Sequence, residues 1–236
     1  MTMSNQAPQL LLDILPAPAP TLDNFIAGGN GEALAALRGI GPGRAIYLWG
    51  PAGSGRSHLL AAAVRAHPGA VLCGAATPAR EFVALAEGGV PLVAIDDVGR
   101  LDERQQAAVF GIYNRWRESA AAEQRGFALV VAGDSAPLRM PLREDLRTRL
   151  GWDLVFRLDL LSDADKLAAL HAHAAARSLD VTPELLEWLL TRHARDMRQL
   201  TALLDALDRY SLATKRPITL PLLKTMLAAQ PRPPAD

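Results

Sequence analysis

The sequence predicts an α/β fold, a parallel five-stranded sheet between helices, followed by a small all-α domain. Three observations lead there. Short apolar runs of strand length alternate with helix-forming stretches as far as Leu161; a glycine-rich loop, Gly50-Pro-Ala-Gly-Ser-Gly-Arg-Ser57, separates the first run from a helix; after Leu161 the strand-type runs stop while helical stretches continue. Strands that alternate with helices imply a parallel sheet covered on both faces. The 236 residues suffice for a main domain of about 150 residues plus a smaller one.

Residues 1–21 end in Pro16-Ala-Pro-Ala-Pro20, whose fixed φ angles and missing amide donors favour an extended, mobile tail. The main domain spans 22–161. A short helix is expected over Gly31–Leu37, a strand over Ala45-Ile-Tyr-Leu-Trp49, a helix over Arg56–Ala66 and a strand over Ala70–Cys73. Thr77 is expected to cap a helix over Pro78–Glu87, which Gly88-Gly89 stops. The strand Leu92–Ile95 then ends in Asp96-Asp97, and a long helix over Glu103–Glu123 precedes the strand Phe127–Ala132. A loop over Pro137–Pro141, a helix over Glu144–Leu150 and a fifth strand, Val155–Leu158, complete the unit. The helical domain, 162–228, has four helices: Ala164–Arg177 capped by Ser162-Asp163, Glu184–His193 capped by Thr182-Pro183, Asp196–Ala213 and Leu220–Ala228. The proline-rich stretch 229–236 is expected to be frayed.

Composition narrows the function classes. Half of the residues are apolar and 21% charged, so the chain should fold. Lys plus Arg equals Asp plus Glu, 25 against 25, so no global positive field drives nucleic-acid binding, and DNA contact must be local or delegated. The single cysteine, Cys73, sits in a strand and reads as a core residue. No apolar run reaches the roughly 18 residues of a membrane span, and the N-terminus lacks the order of a signal peptide, so the expectation is a cytoplasmic protein with no membrane partner. His171 and His173, two apart on a helix, face different ways and make a poor metal pair.

The loop from Gly50 to Ser57 carries the clearest chemistry. A phosphate-cradling loop needs glycines so that successive amides turn inward, and the next helix adds its positive N-terminal end. Gly50, Gly53 and Gly55 meet that need, with Pro51, Ala52, Ser54 and His58 completing the segment. Ser57 holds the position whose hydroxyl ligates Mg²⁺, and Arg56 stands where lysine is usual. Arginine keeps the charge and offers two donors, but it is broader than an ammonium, so binding survives the exchange more readily than hydrolysis. Asp96, at the end of a buried strand, suits Mg²⁺; Asp97 could polarise a water or simply cap a turn. Asp134 could sense the γ-phosphate or be a turn signal. Arg149 is placed to reach a phosphate in a neighbouring subunit, and Arg198 to close the small domain over a nucleotide; alone, each is a surface arginine.

In this order the motifs resemble the AAA+ ATPases, and among them the DnaA-related proteins. The resemblance covers about residues 22 to 228, through Tyr47-Leu-Trp-Gly-Pro-Ala-Gly-Ser-Gly-Arg-Ser-His-Leu59, Ile95-Asp-Asp-Val98, Gly133-Asp-Ser135, Arg149-Leu-Gly-Trp152 and Asp196-Met-Arg198-Gln-Leu200. These look like Walker A, Walker B, sensor 1, the box VII arginine finger and sensor 2. DnaA carries a DNA-binding domain beyond its lid, and this sequence stops where that domain would begin. With the loop arginine and the short tail, it is similar to the Hda type. That resemblance implies ADP (or ATP) and Mg²⁺ as ligands, DnaA as a partner, and clamp binding through a glutamine-led peptide, which Gln9-Leu10-Leu11-Leu12-Asp13-Ile14 matches.

An extended peptide before a proline-rich linker can place one amide and the side chains of Leu10, Leu12 and Ile14 in a preformed groove. The alternative is an N-terminal strand packed on the chain's own core. The expected function is negative regulation of replication initiation: docking on the DNA polymerase III sliding clamp, meeting DNA mainly through it, and stimulating hydrolysis of DnaA-bound ATP with weak or no turnover of its own. Two rivals stand beside it, an autonomous AAA+ ATPase or helicase loader and a non-catalytic nucleotide-binding adaptor. A homo-oligomer is left open.

Overall fold

Residues 19–121, 126–192 and 197–228 are described by a computed structural model, in which the chain divides into two units, Pro20–Leu161 and a second whose described residues begin at Ser162 and run to residue 228. The first unit runs α1 (Gly31–Arg38), β1 (Ala45–Trp49), α2 (Arg56–Ala66), β2 (Val71–Cys73), α3 (Ala79–Ala86), β3 (Leu92–Ile95), α4 (Glu103–Ala121), β4 (Ala128–Gly133), α5 (Glu144–Arg149) and β5 (Leu154–Arg157). The five strands form one sheet in the order β2-β3-β4-β1-β5, and every neighbouring pair is parallel. This is the α/β class that the alternation of strands and helices predicts.

The sheet is buried on both faces because its side chains alternate. Tyr47, Val93, Ile95, Leu129 and Val131 join one apolar cluster with Phe82 of α3, Ile112 and Tyr113 of α4 and Leu146 of α5. Ile46, Leu48, Leu92, Ala94, Val130 and Ala132 join the other with Leu37 of α1 and Leu59, Leu60 and Ala63 of α2. Period-two alternation thus assigns each residue to a layer, and truncating one of these Leu or Ile side chains to Ala costs about 2–5 kcal/mol.

Chain order positions the site. β1 lies between β4 and β5, yet the chain leaves it for β2 at the far edge. In open parallel sheets ligands bind beyond the carboxyl ends of the strands, where such a switch occurs. The loop after β1, Asp96 after β3 and Asp134 after β4 all lie at those ends, since Trp49 pairs with Gly133 and Ile95 with Val131. Strand ends differ from expectation by one residue. β5 begins at Leu154 instead of Val155, but the Leu158 amide still donates to the Trp49 carbonyl at 2.6 Å, extending the pairing.

One cap differs. Thr77 does not cap α3: Pro78, with φ −57° and ψ 142°, is the N-cap, and α3 begins at Ala79. The Thr77 hydroxyl instead accepts the Gly74 amide at 3.1 Å, closing the turn after β2, while its carbonyl accepts from Gln105 Nε2 at 2.7 Å. A tertiary bond from α4 thereby replaces a local cap.

In the second unit α6 (Asp163–Ala176), α7 (Pro183–Arg192), α8 (Met197–Thr214) and α9 (Leu220–Ala228) bury Leu170, Leu186, Leu189, Leu204, Leu207, Leu223 and Met226 together. Ser162 caps α6 as its position predicts: its Oγ accepts the Asp165 amide at 3.1 Å and Asp165 Oδ2 accepts the Ser162 amide at 3.2 Å. His171 is exposed, whereas His173 Nε2 lies 2.7 Å from Asp205 Oδ1, linking α6 to α8. Among the described residues no helix is long and apolar enough to cross a membrane.

Candidate functional site

The loop after β1 is shaped by its glycines. Gly53 and Gly55 have φ of +85° and +94°, conformations that L side chains rarely adopt. A Cβ on Gly50 would run into the Leu158 carbonyl, and one on Gly55 would come within 2.6 Å of the Phe25 ring. The loop is therefore seated between the segment after β5 and the chain before α1. His58 fixes the same contact: buried in the first turn of α2, its Nε2 lies 3.0 Å from the Thr21 carbonyl and its ring 5.4 Å from that of Phe25.

Two polar atoms of the loop are buried without a hydrogen-bond partner among the described residues, Ser54 Oγ and Arg56 Nη1. Buried donors left unpaired cost about 1–3 kcal/mol each, so native structures seldom keep them unless something else satisfies them. Anionic oxygens, such as those of a phosphate chain, are the complement of a guanidinium N–H and a hydroxyl at a helix N-terminus. The residues therefore fit a phosphate group. Ser57, exposed in the first turn of α2, and Asp96, half-buried after β3, are oxygen donors of the kind that Mg²⁺ takes.

Around the loop stand three more groups. Arg56 Nη2 lies 3.5 Å from Asp97 Oδ1, with the arginine side chain 12% exposed and the aspartate 40%. Asp97 has φ +45°, uncommon for a non-glycine residue, and its amide donates to Asp96 Oδ1 at 2.9 Å. Asp134 is exposed just past β4. Sequence reasoning missed Tyr47, which underlies this arrangement. Its buried hydroxyl donates to the Ser135 carbonyl at 2.8 Å, and only a glycine at 133 leaves it room. Burial first, then the Asp134 charge, hold the Tyr47 phenol above the usual tyrosine range, while Arg56 opposes them. The phenol thus ties β1 to the loop that follows β4. An aromatic residue in a predicted strand signalled only core.

Arg149, at the end of α5, belongs to a different cluster. Its guanidinium carbon lies 4.2 Å from the ring centroids of both Phe110 and Trp152, and the Arg117 guanidinium lies 4.5 Å from that of Trp152. Desolvation, then the Arg117 charge, lower the Arg149 pKa, with Asp145 opposing them. Among the described residues no carboxylate forms an ion pair with Arg149; Asp145 is bonded to Arg143 at 2.7 Å. The guanidinium is thus held by its faces and not neutralised. Arg198 lies on α8, and its side chain is outside the described residues, as are Gln9, Leu10, Leu12 and Ile14.

Comparison with known proteins gives a family match within the second unit and likenesses of fold over most of the chain. Residues 163–227 match the family model described as Hda, lid domain. The fold is similar to domain III of the replication initiation protein DnaA from Thermotoga maritima, with a TM-score of 0.65 and 21% identity, over 92% of this chain and 98% of that one. It is also similar to AMPPCP-bound DnaA from Aquifex aeolicus, with a TM-score of 0.62 and 20% identity, over 82% of this chain and 66% of that one. The RuvB Holliday junction branch migration motor of Thermotoga maritima follows at a TM-score of 0.63 and 18% identity, over 89% and 71% of the two chains. At these identities the likeness is one of fold.

Proposed function

The lid is of the Hda family and the fold is that of DnaA and its AAA+ relatives; for this DnaA-related AAA+ protein of the Hda type, we propose negative regulation of replication initiation by stimulated hydrolysis of DnaA-bound ATP. The observation that carries this reading is the state of Arg149: a half-buried guanidinium held over the rings of Phe110 and Trp152, with no ion pair among the described residues. A guanidinium held by its faces keeps its N–H edge available for the oxygens of a phosphate brought by another molecule. In phosphoryl transfer an arginine supplied in trans stabilises charge on the transferred group, an effect of about 10³ to 10⁵ in rate. Arg149 is the residue assigned that role.

The chain's own loop binds adenine nucleotide, ADP or ATP. Gly50 to Ser57 would cradle its phosphates, Ser57 and Asp96 would hold Mg²⁺, and the first turn of α2 at His58 and Asp134 would line the site. When bound, nucleotide and metal supply fixed negative charge and its counter-cation, which order the loop. Weak turnover in this site is supported by the Arg56–Asp97 contact at 3.5 Å, which engages the carboxylate that would otherwise orient water.

Docking on the DNA-loaded sliding clamp through Gln9, Leu10, Leu12 and Ile14 places the protein beside DnaA in the cytoplasm. Hydrolysis of ATP preloaded on DnaA is the test, with clamp loaded on DNA and either the intact chain or one with alanine at positions 9, 10 and 12. The alanine chain is expected to lose clamp-dependent stimulation while keeping its own nucleotide affinity. Equal stimulation by both chains contradicts clamp docking; rapid turnover by the chain without DnaA or clamp points to an autonomous ATPase instead.

A further inference from the structure

Phe110 and Arg117 stand seven residues apart on α4, hence on one helix face and about 10.5 Å apart along its axis. Between them fit Arg149 and Trp152, which are drawn together by the turn in which the Trp152 amide donates to the Arg149 carbonyl at 3.1 Å. The separations are uniform: Phe110 to Arg149 4.2 Å, Arg149 to Trp152 4.2 Å and Trp152 to Arg117 4.5 Å. These fit a ladder of ring, guanidinium, ring, guanidinium. Two cations that repel each other share one indole best from its opposite faces, and each gains from the ring's negative face.

We propose that Trp152 and Arg117 are positioning residues for Arg149: the indole, held from its far side by Arg117, keeps the Arg149 guanidinium flat against Phe110, so that its N–H edge faces the anionic group of a partner. This rests on the reading of Arg149 as acting on a partner's nucleotide. A long side chain otherwise loses much rotamer freedom when it is immobilised on binding. A stack formed beforehand removes part of that loss and fixes the plane of the fork, which bidentate recognition of phosphate requires. Arg117 does not touch the phosphate in this arrangement. Its contribution passes through the indole.

The experiment uses the full chain with Trp152→Leu, Trp152→Phe, Arg117→Ala and Arg149→Ala, and three readouts. Stimulated hydrolysis of ATP on DnaA is measured as maximal rate and half-saturating concentration separately; the Arg149 Nε–H resonance is followed by NMR; nucleotide affinity of the chain's own loop reports folding. Trp152→Leu is expected to lower the maximal rate about tenfold or more, as small misplacements of a catalytic group do, with little change in half-saturation. It should also move the Nε–H signal by taking away the indole's share of the ring-current shift, with that of Phe110 remaining. Trp152→Phe, which keeps a ring, should restore most of the rate and the shift, and Arg117→Ala should lower both in part. A full maximal rate for Trp152→Leu while Arg149→Ala abolishes stimulation overturns the positioning role and leaves the function of Arg149 standing. Unchanged stimulation by Arg149→Ala overturns both. Should Trp152→Leu lose nucleotide affinity, Arg117→Ala, an exposed position, decides: unaltered rate and resonance overturn the proposal.

Discussion

At the scale of single residues, backbone conformation and close approach decide what the loop tolerates. Gly55 combines φ of +94° with the ring of Phe25 at the place of a Cβ. Gly55→Ala is expected to lose more than about 1 kcal/mol of stability and to weaken nucleotide binding, as thermal denaturation and titration with a fluorescent ADP analogue would record. Tyr47→Phe removes the donor to the part-buried Ser135 carbonyl; urea unfolding should register a loss of about 1 kcal/mol. The two residues were not equally legible. Gly55 stands in a spacing whose mechanism is local, and so it could be read in the sequence. Tyr47 acts through Ser135, in the loop after a strand that is distant in sequence, and nothing in an apolar run distinguishes a tyrosine whose hydroxyl holds a neighbouring loop from one that only packs. The ring ladder around Arg149 was hidden for the same reason, because Phe110 and Arg117 come from another helix.

At the scale of elements, period and punctuation gave the strands and helices, and tertiary bonds set their ends. Thr77 looked like the cap of α3, but Gln105 of α4 and the turn at Gly74 claim it. The edge strand β5 is held to β1 by a polar clasp no pattern announces: Asp153 accepts two bonds from Arg44, at 2.8 and 2.9 Å, and the Ala45 amide at 2.9 Å. The hydrogen bonds from Arg44, helped by the Ala45 amide and opposed by burial, hold the Asp153 carboxyl below the usual carboxylate range. A carboxylate whose pKa is lower folded than unfolded stabilises the fold fully above its unfolded value, about 3.9, and that contribution is lost as pH falls through the folded value. Asp153→Asn should therefore lower the melting temperature at neutral pH and flatten its decline in acid, as melts from about pH 6 to about pH 2 would reveal.

At the scale of the whole molecule, the division into a sheet unit and a helical unit was legible because strand-type runs end at Leu161 and a capping serine follows immediately. Each unit carries its own apolar core, and the lid region is the part that matches a family model. The proposed role of Arg149 is to act on a nucleotide held by DnaA. The most direct measurement is single-turnover hydrolysis of labelled ATP preloaded on DnaA, with loaded clamp and excess unlabelled ADP, comparing the intact chain with Arg149→Ala. Labelled ADP is expected at a stimulated rate with the intact chain and at the unstimulated rate of DnaA with Arg149→Ala, at equal clamp binding; equal rates for the two would contradict the role of Arg149.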